Sequence, residues 1–186
     1  MRVVFTGGPC SGKTTLLQEF SALGFYCIPE SALIVIKELC DSLGNQQQAL
    51  WRQAHPIDFH YLINQQQLQL EQSSHDSSAL HLMDRSRIDT LAYLEYRQKK
   101  LERFEPLDAM NYPLDLIFYL LPLSQYKQVA DAARVESQQE AMAIAESIQR
   151  AYQIRGYDLI AIPDVPVTDR VNMCLQYFEK LSPRDK

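Results

Sequence analysis

Residues Gly7-Gly8-Pro9-Cys10-Ser11-Gly12-Lys13-Thr14 match the spacing G-x-x-x-x-G-K-[ST] directly after the apolar segment Arg2–Thr6. Glycines at these places let backbone N–H groups crowd around the phosphates of a nucleoside triphosphate. Lys13 adds a mobile positive charge, and the Thr14 hydroxyl can ligate Mg²⁺. With Thr15, the run from Gly7 is a candidate ATP-binding segment. A Gly-rich turn without function would satisfy the same spelling, but it would not require a buried strand before the loop and a helix after it. Lys13–Leu23 fits that helix: Leu16, Leu17, Phe20 and Leu23 form an apolar stripe and Gly24 can stop it. Its N-terminal partial charge would then face the phosphates.

Asp84 closes the apolar run Leu80–Met83, where a carboxylate could hold Mg²⁺ directly or through water; a helix or turn cap is the other reading. Arg85 and Arg87 beside it could meet phosphates. Glu30 ends a second apolar run, Phe25–Pro29, and could accept a proton from a substrate hydroxyl or serve only as a charge favoured at a helix start. Arg134 precedes a capped helix and could close over a γ-phosphate, or pair with Glu136 at the surface. Tyr93, Tyr96 and Arg97 could clamp an acceptor, although tyrosines at this spacing also serve cores and rims, and Trp51 and Tyr61 carry the same ambiguity. The run Pro163–Val167 could support an adenine ring on backbone and apolar atoms. Cys10 could be a reactive thiol or small filler, and the four histidines have no metal-ligand spacing.

The elements that must position these groups alternate. Apolar runs at Arg2–Thr6, Phe25–Pro29, Ala79–Met83, Leu114–Leu121 and Asp158–Ile162 read as strands. Between them, helical spacing covers Ser31–Leu43, a long segment opened by Pro56 and running to Ser73-Ser74, and Ile88–Leu101. Ser137-Gln138-Gln139-Glu140 has capping-box spacing ahead of a helix stopped by Gly156, and Thr168 can cap a final helix. Gln46–His55 is polar and Gln-rich and is assigned to no element. Continuous apolar strands separated by helices predict an α/β doubly wound parallel sheet with ligands at the strands' carboxyl ends.

At 186 residues the chain fits one domain, 1–186, with no room for a second catalytic one. A net charge of −5 and a pI near 5.4 argue against nucleic-acid or anionic-membrane partners, which need a basic footprint. Four cysteines without a C-x-x-C pair, no signal-type stretch and no spanning run point to a reducing, cytoplasmic setting.

Together, Gly7–Thr15, Pro29-Glu30-Ser31-Ala32, Asp84-Arg85-Ser86, Arg134-Val135-Glu136 and the tail from Tyr152 through Pro163 to Arg170 resemble a family of small phosphate-loop proteins described as AAA-domain ATPases or kinases. That family is related to the ribosylnicotinamide kinase domain of NadR-type proteins. Asp84-Arg85-Ser86 is also similar to the Glu-Arg-Ser motif of deoxyribonucleoside kinases. The resemblance implies a three-layer P-loop NTPase fold with a five-stranded parallel sheet of order 2-3-1-4-5 and helices on both faces. It also implies roles for Asp84 toward the metal, Arg85 toward the phosphoryl acceptor and Glu30 toward activating the acceptor hydroxyl. Asp84 replaces a longer Glu and Pro29-Glu30 reverses the Glu-Pro order of those kinases, so either Glu30 or Asp84 could be the base. The expected activity is ATP- and Mg²⁺-dependent phosphorylation of a nucleoside-like small molecule. The alternative is an ATPase acting as a nucleotide-gated binding module. A GTPase is a weaker third, since Leu120-Leu121-Pro122-Leu123 stands where an Asn-Lys-x-Asp motif would be.

Overall fold

Val3, Val4 and Phe5 are each 0% exposed, as a strand covered on both faces requires. In the computed structural model, which describes residues 1–73, 80–124 and 137–181, they form the middle strand of a five-stranded sheet. The strands are β1 (Arg2–Thr6), β2 (Tyr26–Ile28), β3 (His81–Asp84), β4 (Leu116–Leu120) and β5 (Ile160–Ile162). Their order is β2-β3-β1-β4-β5 and every pairing is parallel, which is the expected 2-3-1-4-5 sheet. The helices among the described residues are α1 (Lys13–Ala22), α2 (Ser31–Leu43), α3 (Asn45–Ala54), α4 (Pro56–Ser73), α5 (Arg87–Tyr96), α6 (Gln138–Gln153) and α7 (Val167–Leu181).

Side-chain alternation along β1 divides the core. Val3 and Phe5 pack with Leu16 and Phe20 of α1 and Cys174 and Phe178 of α7, while Val4 packs with Ile88 and Leu91 of α5 and Ile144 and Ile148 of α6. Helices therefore cover both faces. A third cluster joins Val35 of α2 to Phe59 and Ile63 of α4, with Trp51 of α3 against it. Leu62, which the periodicity places with the apolar set of α4, is 40% exposed.

Several boundaries differ from the sequence-based ones. Residues 45–54 form α3 although their pattern is polar, because the buried inner position belongs to Gln48, whose amide nitrogen bonds the Asn45 carbonyl at 3.0 Å. Helix α5 ends at Tyr96 rather than Leu101: Gln98 takes φ 52 and the Lys99 N–H returns to the Leu94 carbonyl. Helix α7 begins at Val167, with the Pro166 carbonyl accepting from Asp169 and Arg170, so Thr168 lies inside the helix and does not cap it. The capping box of α6 forms as expected: Ser137 Oγ accepts from Glu140 N and Glu140 accepts from Ser137 N.

Candidate functional site

The loop between β1 and α1 lies at the carboxyl edge of the sheet, and its glycines are fixed by close approaches. Gly7 sits at φ +138 where an added Cβ would stand 2.5 Å from the Leu120 carbonyl oxygen, and a Cβ on Gly8 would stand 2.9 Å from Ala145 Cβ of α6. Gly12, at φ 86, precedes α1 without a side-chain cap, which leaves first-turn N–H groups for an anion. Lys13 is buried and folds back into the loop: its Nζ donates to the carbonyls of Gly7 (3.1 Å) and Gly8 (2.7 Å) and to Ser11 Oγ (3.1 Å). Burial, helped by the nearby Arg85 charge, pulls its pKa down to about 7.

Parallel pairing sets Asp84 beside Phe5, one residue from the loop side of β1. The Thr14 hydroxyl donates to Asp84 Oδ2 at 2.9 Å, while Asp84 Oδ1 is buried without a hydrogen-bond partner. Burial, and then the Glu30 charge, raises the Asp84 pKa to about 6. A carboxylate with an orphaned oxygen next to a hydroxyl is a donor set of hard oxygens that fits Mg²⁺. No cluster of three or more His, Cys, Asp or Glu able to hold a metal occurs among the described residues.

Arg85 joins the loop to the neighbouring compartment. Its backbone takes φ 72, a left-handed conformation costly for a side-chain-bearing residue, and its guanidinium is held on several sides. Nε donates to Glu30 Oε1 at 3.0 Å, and Nη1 donates to the Gly7 carbonyl at 3.1 Å and to Asp89 Oδ1 at 3.0 Å. The guanidinium carbon lies 5.5 Å from the centre of the Tyr93 ring. Burial opposes its charge, but Tyr93 and the carboxylates of Glu30 and Asp89 outweigh it and hold the pKa well above the usual arginine value.

Beside this arginine is a cavity whose wall includes Pro9 of the loop, Glu30, Arg85, Tyr93 and Arg97, with an apolar side from Leu33, Ile36, Phe59 and Ile63. His60 also lines it. Its Nδ1 is 2.8 Å from the Pro56 carbonyl, to which it must donate, and burial lowers its pKa to about 4, so the imidazole is neutral.

The sequence-based candidates thus separate. Gly7 to Thr14, Glu30, Asp84 and Arg85 come together on one edge, with Thr15 exposed on α1 beside them. Arg87 turns away, to Asn64 Oδ1 at 3.0 Å and Glu105, and Trp51 belongs to the α2–α4 packing. Tyr61 packs against Phe104, and Tyr96 against the core. Arg134 lies outside the described residues. Arg170 is the residue whose site contacts sequence reading missed. It is buried on α7 and donates to the Ser11 carbonyl (3.0 Å), the Val165 carbonyl (2.9 Å) and Asp164 Oδ1 (3.0 Å), clasping the phosphate loop to the loop after β5. Its spacing carries no local signal, since Ser11 is 159 residues away.

This edge, with its phosphate loop, 2-3-1-4-5 sheet and adjoining cavity, defines a P-loop NTPase fold of the kinase-like kind. The chain belongs to the AAA domain family, whose model matches residues 2–170. Among solved structures it is similar to deoxyadenosine kinase from M. mycoides with bound dATP. The TM-score is 0.69 at 11% identity, covering 96% of this chain and 100% of that one. It is also similar to the same organism's deoxyadenosine kinase with products dCMP and a flexible dCDP bound, with a TM-score of 0.61 at 12% identity and coverage of 97% and 100%. At such identity the likeness is one of fold. A search of curated proteins finds no match to this chain. Among the described residues no helix is long and apolar enough to cross a membrane.

Proposed function

We propose that residues 1–186 act as one cytoplasmic nucleotide-binding unit, a small-molecule kinase that transfers the γ-phosphoryl group of ATP to a hydroxyl of a nucleoside-like metabolite. The observation that carries this reading is the pairing of two compartments. The loop of Gly7 to Thr14 is one, the cavity walled by Pro9, Glu30 and Arg85 is the other, and the Arg85 guanidinium touches both. A nucleotide-gated module needs the first compartment but gives no reason for the second.

In this reading the loop amides and Lys13 hold the β- and γ-phosphates, and Lys13 turns from the Gly7 and Gly8 carbonyls to do so. Thr14 and Asp84 would hold Mg²⁺, which when bound supplies positive charge against the phosphate oxygens. Glu30 faces the cavity and Asp84 is tied to Thr14, so Glu30 is the group that orients the acceptor hydroxyl and receives its proton. Arg85 offsets charge building on the transferring group, and Arg134 is proposed as a second cation for it.

The test is ADP release from Mg·ATP, alone and with a panel of nucleosides, ribosylnicotinamide and metabolite extract, with products read by mass and Lys13→Ala as control. Stimulation by one component, with a phosphorylated product absent from the Lys13 variant, is the expected result. Slow release indifferent to every addition would overturn the kinase reading and favour the gated module.

A further inference from the structure

Asp89 lies on the first turn of α5, one turn beyond Arg85, and is 2% exposed. Both of its oxygens are fully used. Oδ1 accepts from the Thr6 hydroxyl (2.6 Å) and Arg85 Nη1 (3.0 Å), and Oδ2 accepts from Ser86 N (3.0 Å) and the Tyr152 hydroxyl (2.6 Å). These four donors come from the end of β1, the turn after β3 and the last turn of α6, so one carboxylate ties three parts of the chain together. Tyr152 and Ser86 also bond each other at 2.6 Å, closing the network.

The donor set demands a carboxylate. An asparagine here has one oxygen and one NH₂, and the NH₂ must face either the Thr6 and Arg85 pair or the Ser86 and Tyr152 pair. The first contains a guanidinium and the second a backbone N–H, neither of which can accept. The amide therefore sets N–H against N–H in either orientation. Keeping the capping box aims its NH₂ at Arg85.

We propose that Asp89 is a positioning residue, which holds the Arg85 guanidinium in its transfer-ready place and ties that place to α6 through Tyr152. Glu30 holds the same guanidinium from the cavity side but must change partners when an acceptor arrives; Asp89, with every lone pair engaged, stays as the fixed anchor. The role of Arg85 in transfer is taken from the proposed kinase function, so the test has one arm that does not depend on it.

In that arm, ¹⁵N spectra of arginine side chains in the whole protein, with Mg·ADP, read rotation of the Arg85 guanidinium, assigned through Arg85→Lys. Slow rotation in the parent and fast rotation in Asp89→Asn are expected; unchanged Arg85 signals would overturn the proposal. Tyr152→Phe removes one of the four donors and keeps the carboxylate. It should loosen Arg85 partially, and it carries the test if Asp89→Asn does not fold. In the second arm, ADP release with the nucleoside panel is measured for Asp89→Asn, Arg85→Ala and the double variant. Asp89→Asn should lower kcat by about tenfold to a hundredfold, part of the loss expected for one electrostatic stabiliser. KM for ATP should stay within about twofold and there should be little further loss once Arg85 is Ala. Losses that multiply in full would mean a structural role only and overturn it. A parent protein that phosphorylates no panel member would defeat the kinase reading, leaving the spectra to decide on Asp89.

Discussion

The phosphate side and the cavity side of the site meet at Gly7 and are finished to different degrees. On the cavity side both Asp89 oxygens and the Nε and Nη1 of Arg85 are bonded within the protein. On the phosphate side Asp84 keeps an oxygen with no partner, and Lys13 spends its donors on the carbonyls of its own loop. The two aspartates are five residues apart, one closing β3 and the other on the first turn of α5, yet burial and Glu30 lift one toward pKa 6 while the other anchors four donors. The contrast is between a half that a ligand would complete and a half that frames a void. Asp84 Oδ1, buried without a hydrogen-bond partner, lies where a bound metal would bring the missing positive charge.

The sharpest way to break this contrast is at Lys13. Lys13→Ala should lower turnover by roughly two to four powers of ten, the loss expected for a principal electrostatic stabiliser, without lowering thermal stability. A buried amine whose pKa has fallen to about 7 costs the free protein stability rather than contributing to it. An unchanged rate of product formation would remove Lys13 from the site.

Asp84→Asn should separate function from stability in the same way. The native carboxyl is raised from 3.8 to about 6, so the unfolded chain ionises first, and this group erodes stability as pH climbs from about 4 to 6 and leaves it eroded above. Removing the charge should raise Tm at pH 7 by roughly 2–4 °C, the shift that about 1 kcal/mol gives a protein of this size, and flatten Tm between pH 4.5 and 6.5. Mg²⁺-dependent turnover should drop at least a hundredfold. A lowered Tm at neutral pH would show that Asp84 is an ordinary structural acceptor.

How much of this could be read from the chain follows the same division. The strand, loop and Lys13 were legible because the glycines answer local backbone demands and the apolar runs of β1 and α1 are adjacent in sequence. The cavity side depends on pairs far apart. Thr6 and Asp89 are separated by 83 residues and Tyr152 and Asp89 by 63, so no spacing rule reports them. Helix α3 was hidden for another reason: its inward position is a glutamine while Leu50 is 53% exposed, which inverts the pattern that reveals an amphipathic helix. Arg87 misled because it neighbours Arg85 in sequence; on entering α5 it turns toward Asn64 instead.

A smaller effect sharpens the contrast through protons. Free Lys13 loses its proton as pH rises through about 7, and phosphates placed against it would restore the charge. ATP binding between pH 8 and 9 should therefore take up close to one proton, with affinity falling about tenfold over that unit. Calorimetry in two buffers of different ionisation enthalpy measures the uptake directly. Binding without proton exchange would mean that Lys13 stays on the Gly7 and Gly8 carbonyls in the complex.

The smallest expected effect belongs to Arg170, which touches the phosphate side only from behind. Its three donors reach the Ser11 carbonyl, the Val165 carbonyl and Asp164, and Asp164 also accepts from Ser124 N at 2.7 Å. Through this chain the arginine fixes how the phosphate loop stands relative to the loops after β4 and β5, without contacting the place where phosphates would lie. Lysine keeps the charge but not the planar fork, so Arg170→Lys can meet only part of that set. The expected result is a three- to tenfold weaker ATP Kd, equivalent to about 1 kcal/mol, with kcat within about twofold, because Lys13, Asp84 and Arg85 keep their own partners. A kcat loss as large as that of Asp84→Asn would show that the loop is held from behind as strictly as Arg85 is held by Asp89. The division between a completed cavity side and an open phosphate side would then have to be redrawn.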